Sequence, residues 1–164
     1  MKKHTPILFL SVIVIATLVS CKKKEKFTIE DRPVTGTLTY VTQSIVPQEF
    51  DTATQQMISA MITMQGSGNI TDMGDLTMLS SFTYNFVTGT GSGFVTTYSG
   101  TDPGDTFSST GSSQRQQDGS ILTTETFSNG TGRFSKIKGG GETIVNLTPD
   151  GSGGTGTANW TVTY

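Results

Sequence analysis

The sequence predicts an all-β domain, an antiparallel barrel of about eight strands closed on itself. Three observations carry this. Apolar residues alternate with threonine and serine over long stretches, the period-two pattern of a strand with one dry and one wet face. Turn dipeptides punctuate those stretches: Pro103-Gly104, Asp118-Gly119, Asn129-Gly130 and Asp150-Gly151. Asn-Gly and Asp-Gly are the strongest short-range hairpin signals, because a type I′ turn needs φ > 0 at both central residues. Finally, an open sheet of this size leaves two edges on which other chains can pair, and closure removes them.

The elements follow in order. Val34 to Thr42 alternates Gly36, Leu38 and Tyr40 against threonines and is the first strand. Ser44 to Gln56, marked by Pro47 and a polar run, is expected to be a loop. Met57 to Ile70 is the second strand; Met57, Met61 and Met64 have helical spacing, but the β-branched Ile58, Ile62 and Thr63 beside them favour strand. Leu76 to Val87 gives the clearest pattern. Leu76, Met78, Phe82, Tyr84 and Phe86 share one face, with Thr77, Ser81, Thr83 and Asn85 on the other. Gly93 to Ser99, Asp105 to Ser113 and Ile121 to Ser128 come next. Arg133 to Leu147 is a strand that Gly139-Gly140-Gly141 divides or kinks, and Thr155 to Tyr164 closes the chain with Ala158, Trp160, Val162 and Tyr164 on one face.

A different pattern precedes the barrel. Lys2 and Lys3 are followed by an almost wholly apolar run from Ile7 to Val19, shorter than the roughly 20 residues a membrane span needs. The run ends in Leu18-Val19-Ser20-Cys21, which resembles the lipobox of bacterial lipoproteins. The resemblance implies a signal peptide over residues 1–20 and lipidation at Cys21, which becomes the first residue of the mature chain. Two or three acyl chains make such an anchor effectively permanent. Residues 21–33 are then a charged tether and residues 34–164 the barrel domain. Lysine rather than aspartate follows Cys21, so the expected address is the cell envelope, lipid-anchored at the outer membrane, on its periplasmic or cell-surface face. The run Lys22-Lys23-Lys24-Glu25-Lys26 is read equally as a surface-sorting signal or a solvated spacer.

Composition excludes several chemistries. Between residues 31 and 164 stand five bases (Arg32, Arg115, Arg133, Lys136, Lys138) and eleven acids, a balance of −6. There is no basic stripe, so nucleic acid is a poor partner. His4 is the only histidine and Cys21 the only cysteine of the chain, and neither lies in the barrel segment. Ser-His-Asp and Cys-His catalysis are therefore excluded there, as are zinc sites built from His and Cys. Asp72 and Asp75 flank Gly74 in a turn and fall far short of the ~6–8 oxygen ligands of calcium, so no metal site and no cofactor is expected. Asp51-Thr52-Ala53 resembles a bacterial O-glycosylation site.

The segment Gly130-Thr131-Gly132-Arg133-Phe134-Ser135-Lys136-Ile137-Lys138-Gly139-Gly140-Gly141, followed by Asp150-Gly151 and the strand to Tyr164, resembles an element near the end of bacterial secreted proteins similar to allene oxide cyclases and dirigent proteins. Gly66-Ser67-Gly68-Asn69-Ile70-Thr71-Asp72-Met73-Gly74 resembles the glycine-rich strand and turn before the third strand of that group. Between Gly66 and Tyr164 the resemblance implies an eight-stranded, calycin-like barrel; its motifs are mostly glycines and turns, which speak for fold rather than chemistry.

Glu125 is the candidate catalytic residue. If it shares a lumenal face with Ile121, Thr123 and Phe127, burial raises its proton affinity and makes a general acid or base; the plant cyclases place a glutamate inside their barrel. If Leu122, Thr124 and Thr126 point inward instead, Glu125 is solvated. Candidate ligand contacts are Tyr84, Tyr98 and Trp160, by stacking, and Arg133, by holding an anionic group at the barrel mouth. Tyr40 and Tyr164 join them as aromatic candidates. Each aromatic has the alternative of packing in the core, and Arg133 that of covering a rim aromatic or pairing with Asp150 or Glu142. The function expected is an envelope-anchored lipoprotein whose barrel binds a small apolar ligand or a partner surface. The rivals are an isomerase or cyclase acting on an oxygenated lipid or aromatic, and a structural cell-surface protein. Oligomeric state is not legible.

Overall fold

The computed structural model describes residues 30–164, so the signal segment and Cys21 lie outside the described residues. Eight strands form one closed antiparallel barrel in sequence order: β1 (Arg32–Phe50), β2 (Met57–Ile70), β3 (Gly74–Asn85), β4 (Thr90–Ser99), β5 (Thr106–Arg115), β6 (Ile121–Ser128), β7 (Lys138–Leu147) and β8 (Gly153–Thr163). β1 closes the barrel by pairing with β8 from Arg32 opposite Val162 to Val41 opposite Gly153. The fold is the all-β barrel that alternation and turn chemistry predict.

Alternation decides which side chains fill the lumen. On β3, Leu76, Met78 and Tyr84 are buried while Thr77 and Thr83 are exposed, and on β8 Ala158, Trp160 and Val162 alternate with exposed Thr157, Asn159 and Thr161. The Met57–Ile70 segment is strand throughout.

Three local expectations are corrected. Ser44 to Gln56 is not all loop: β1 runs on to Phe50, paired with β2 alone because β8 ends its pairing at Val41. An edge with no neighbour tolerates proline, so Pro47 does not end the strand. This overhang also contains register shifts between Thr42 and Ser44 and between Pro47 and Phe50. β1 also begins at Arg32, so Arg32 and Pro33 belong to the strand rather than the tether. Finally, Asn129-Gly130 does not make a tight hairpin. It opens a longer β6–β7 connection in which Asn129 (φ 54) and Gly132 (φ 55) turn the chain into a short 3-10 helix, Gly132–Phe134. β7 therefore starts at Lys138, not Arg133.

That connection seals one end of the barrel. Phe134 is fully buried and meets Phe107 edge-on at 4.9 Å and Tyr164 at 5.1 Å. Beneath it Phe107 stacks on Tyr98 at 4.6 Å, and Phe127 meets Trp160 edge-on at 4.9 Å. The core is thus an aromatic plug at the end that carries the β2–β3, β4–β5 and β6–β7 connections and Tyr164. Close approach there needs glycine. Gly139 has φ 105, and a Cβ on it would stand 2.0 Å from the Thr161 carbonyl oxygen on β8.

Candidate functional site

The opposite end of the barrel is hollow. A cavity of about 160 Å³ lies among Tyr40, Met64, Met78, Phe82, Tyr84, Phe94, Tyr98 and Glu125, reaching a rim made by Ile45, Phe86 and Leu147. Those rim residues are 41–47% exposed, so the cavity opens between them. Its walls are the inward positions of β1 to β7, mostly apolar or aromatic, and Phe82 stacks on Phe94 at 4.1 Å.

Glu125 faces inward with Thr123 and Phe127 and is 6% exposed. Its carboxyl group is the hub of a hydroxyl network. Tyr98 Oη donates to Oε1 at 2.7 Å and Ser109 Oγ donates to the same oxygen at 2.6 Å. Thr143 Oγ1 donates to Oε2 at 3.3 Å while accepting from Trp160 Nε1 at 3.1 Å. Four strands thus converge on one acid, from β4, β5, β7 and, through Thr143, β8. Burial pushes the Glu125 carboxyl above its ordinary range, and the donors from Ser109, Tyr98 and Thr143 pull it partly back. Burial first, and then the charge of Glu125, raises the Tyr40 hydroxyl; Tyr98 rises for the same reasons.

The candidate residues therefore divide. Glu125, Tyr84 and Tyr98 line the cavity, as does Tyr40. Trp160 lies in the plug, held by Thr143, and is not among the lining residues. Arg133 is at the sealed end, away from the mouth. Its Nε pairs with Asp105 at 3.1 Å, its Nη2 donates to the Met73 carbonyl at 2.6 Å, and its guanidinium lies 4.5 Å from the Phe134 ring centre. It covers a rim aromatic and pairs with an acid, but the acid is Asp105 and not Asp150 or Glu142, because the connection after Gly132 lies against the β4–β5 turn. Tyr164 donates to the Asp72 carbonyl at the same end.

Ser109 and Thr143, which meet Glu125, and Ser113, which lines the cavity, carry no signal in the sequence. In a chain full of serine and threonine, nothing local marks the few hydroxyls that meet an acid from another strand. Phe82 carried a signal, since it sits in the clearest alternating run. The chain matches no family model, no curated protein and no solved structure, so the site rests on its own geometry.

Proposed function

We propose that this chain is an envelope-anchored lipoprotein, tethered through Cys21, whose barrel holds a small, mainly apolar molecule. The observation that carries this reading is the open-ended cavity of about 160 Å³ with aromatic and aliphatic walls and one carboxyl group at its inner end. Apolar cavities near 150 Å³ take up a molecule the size of benzene, so one ring or a short chain is the appropriate scale. A few convergent polar groups in an apolar pocket are what orients such a ligand. The described chain enters the barrel at the end opposite the mouth: Asp31, the last residue before β1, bonds to Thr163 at the sealed end. Lys22 after Cys21 favours the outer membrane as the address. Native mass spectrometry of protein extracted gently from its own membrane tests the reading. A bound small molecule, lost on filling the cavity by Thr96→Phe, is the expected result; protein that carries nothing and takes up nothing from a membrane extract contradicts it.

One observation favours a second reading, an isomerase or cyclase. Glu125 is buried, raised in proton affinity and flanked by Tyr40 and Tyr98 inside the cavity, the setting in which a carboxyl group serves as general acid or base. Turnover that falls ~10²–10⁴-fold in Glu125→Gln would establish this reading.

A further inference from the structure

Building on the reading of the cavity as a small-ligand site, we infer that its occupant is a small organic cation, a protonated amine carried on one ring or a short apolar body. The lumen offers a negative group and nothing to neutralise it. Among the described residues that line the cavity Glu125 is the only acid and none is basic. The two ion pairs among the described residues, Arg32 with Asp72 and Arg133 with Asp105, both lie at the sealed end. A buried carboxylate is costly unless paired, and a cationic ligand brings the missing charge with it.

The hydrogen bonds leave room for that charge. Oε1 is occupied by two short donors, whereas Oε2 receives one long bond, from Thr143. A carboxylate oxygen accepts about two hydrogen bonds, so Oε2 keeps capacity for an N–H donor. The walls suit the same guest: Tyr40, Phe82, Tyr84, Phe94 and Tyr98 present aromatic rings, whose negative faces attract ammonium groups. A second anchor lies nearer the mouth. Ser113 Oγ is a buried side-chain oxygen with no partner among the described residues, and Ser113 lines the same cavity. Ser113 is two residues along β5 from Gly111, the register partner of Glu125, or roughly 7 Å. The two anchors fit a molecule with an amine at one end and a hydrogen-bonding group at or beyond the other side of its ring. An anionic ligand would meet Glu125 with like charge.

The groups facing Glu125 are Tyr40 from β1, Tyr98 from β4, Ser109 from β5, Thr143 from β7 and, behind Thr143, Trp160 from β8. Of these the two tyrosines titrate, both above their ordinary range, so pH dependence below neutrality reports Glu125.

The test is calorimetric titration of the full-length protein in lipid nanodiscs, with empty discs as the blank, using benzylamine, benzyl alcohol and benzoate. Benzylamine should bind about tenfold or more tightly than benzyl alcohol, as a charge-assisted bond adds to a shared ring contact, and benzoate should be weakest. The affinity of benzylamine should rise as pH climbs through the Glu125 titration while that of benzyl alcohol stays flat. Glu125→Gln should erase the preference for the amine and keep the alcohol; the pH profile of the unaltered protein carries the test if that variant fails to fold. Equal binding of amine and alcohol, tightest binding of benzoate, or a preference for the amine that survives in Glu125→Gln overturns the cation inference while the cavity reading stands. If none of the three binds, the cavity reading falls and takes the inference with it.

Discussion

Tyr98 on β4 donates a 2.7 Å hydrogen bond to Glu125 on β6, over the intervening strand β5, whose Ser109 donates to the same oxygen. A carboxyl group held this way is positioned rather than stranded: each of its oxygens has a hydroxyl donor, and burial still lifts its proton affinity.

Glu125→Gln should leave stability unchanged or raise it. The amide keeps an oxygen for Tyr98 and Ser109 and removes the buried charge. The effect depends on pH. With its proton affinity raised by folding, Glu125 holds its proton longer in the folded chain than in the unfolded one. Its stabilising contribution is fully present below the ordinary value of 4.5 and is lost as pH rises through the raised value. The variant's advantage in melting temperature should therefore be absent in acid and grow toward neutral pH. The difference between the two proteins isolates this group from Asp51, Asp118 and Asp150, whose hydrogen bonds lower their carboxyls and act in the opposite direction.

Thr143→Val should destabilise the barrel by about 1–3 kcal/mol, because valine keeps the shape but strands the buried Trp160 N–H and removes a donor from Glu125. The urea midpoint is the measurement. An unchanged midpoint would mean that the Trp160–Thr143–Glu125 chain carries no weight in the fold.

Arg133→Ala should cost about 1 kcal/mol and leave cavity binding untouched. The Arg133–Asp105 pair is partly exposed, 40% and 12%, so its Coulomb contribution is screened. The remaining loss comes from the bond to the Met73 carbonyl and the stem over Phe134. Altered affinity for a cavity ligand would contradict the placement of Arg133 at the sealed end.

Cys21→Ser should release the protein from membranes without unfolding the barrel, since residues 30–164 form the described fold without it. Metabolic labelling with a fatty acid should mark the unaltered protein and not the variant. A variant that still sediments with membranes after a salt wash would contradict lipidation at that residue.

Much of the fold was legible, and the residues show why. Leu76 to Phe86 and Ala158 to Tyr164 alternate so regularly that only one face can be dry. Ser44 to Phe50 was illegible because strand there depends on a neighbour, β2, rather than on local composition. The direction of Glu125 was balanced on Ile121 against Leu122, which offer either face an apolar start; Phe127, opposite Ser109, settles it inward. The acid's partners lie 27, 16 and 18 residues away, at Tyr98, Ser109 and Thr143, a convergence created by barrel closure that no period within one strand can announce.

The central claim, that the lumen is a site for a small ligand, is tested most directly by NMR of the methionine methyl groups during titration with benzyl alcohol. Met64 and Met78 line the cavity, Met73 is fully buried in the β2–β3 connection at the sealed end, and Met61 is 42% exposed. Saturable shifts of Met64 and Met78, with Met61 and Met73 still, are the predicted result. Stationary Met64 and Met78 signals, or shifts as large at Met61, would contradict it.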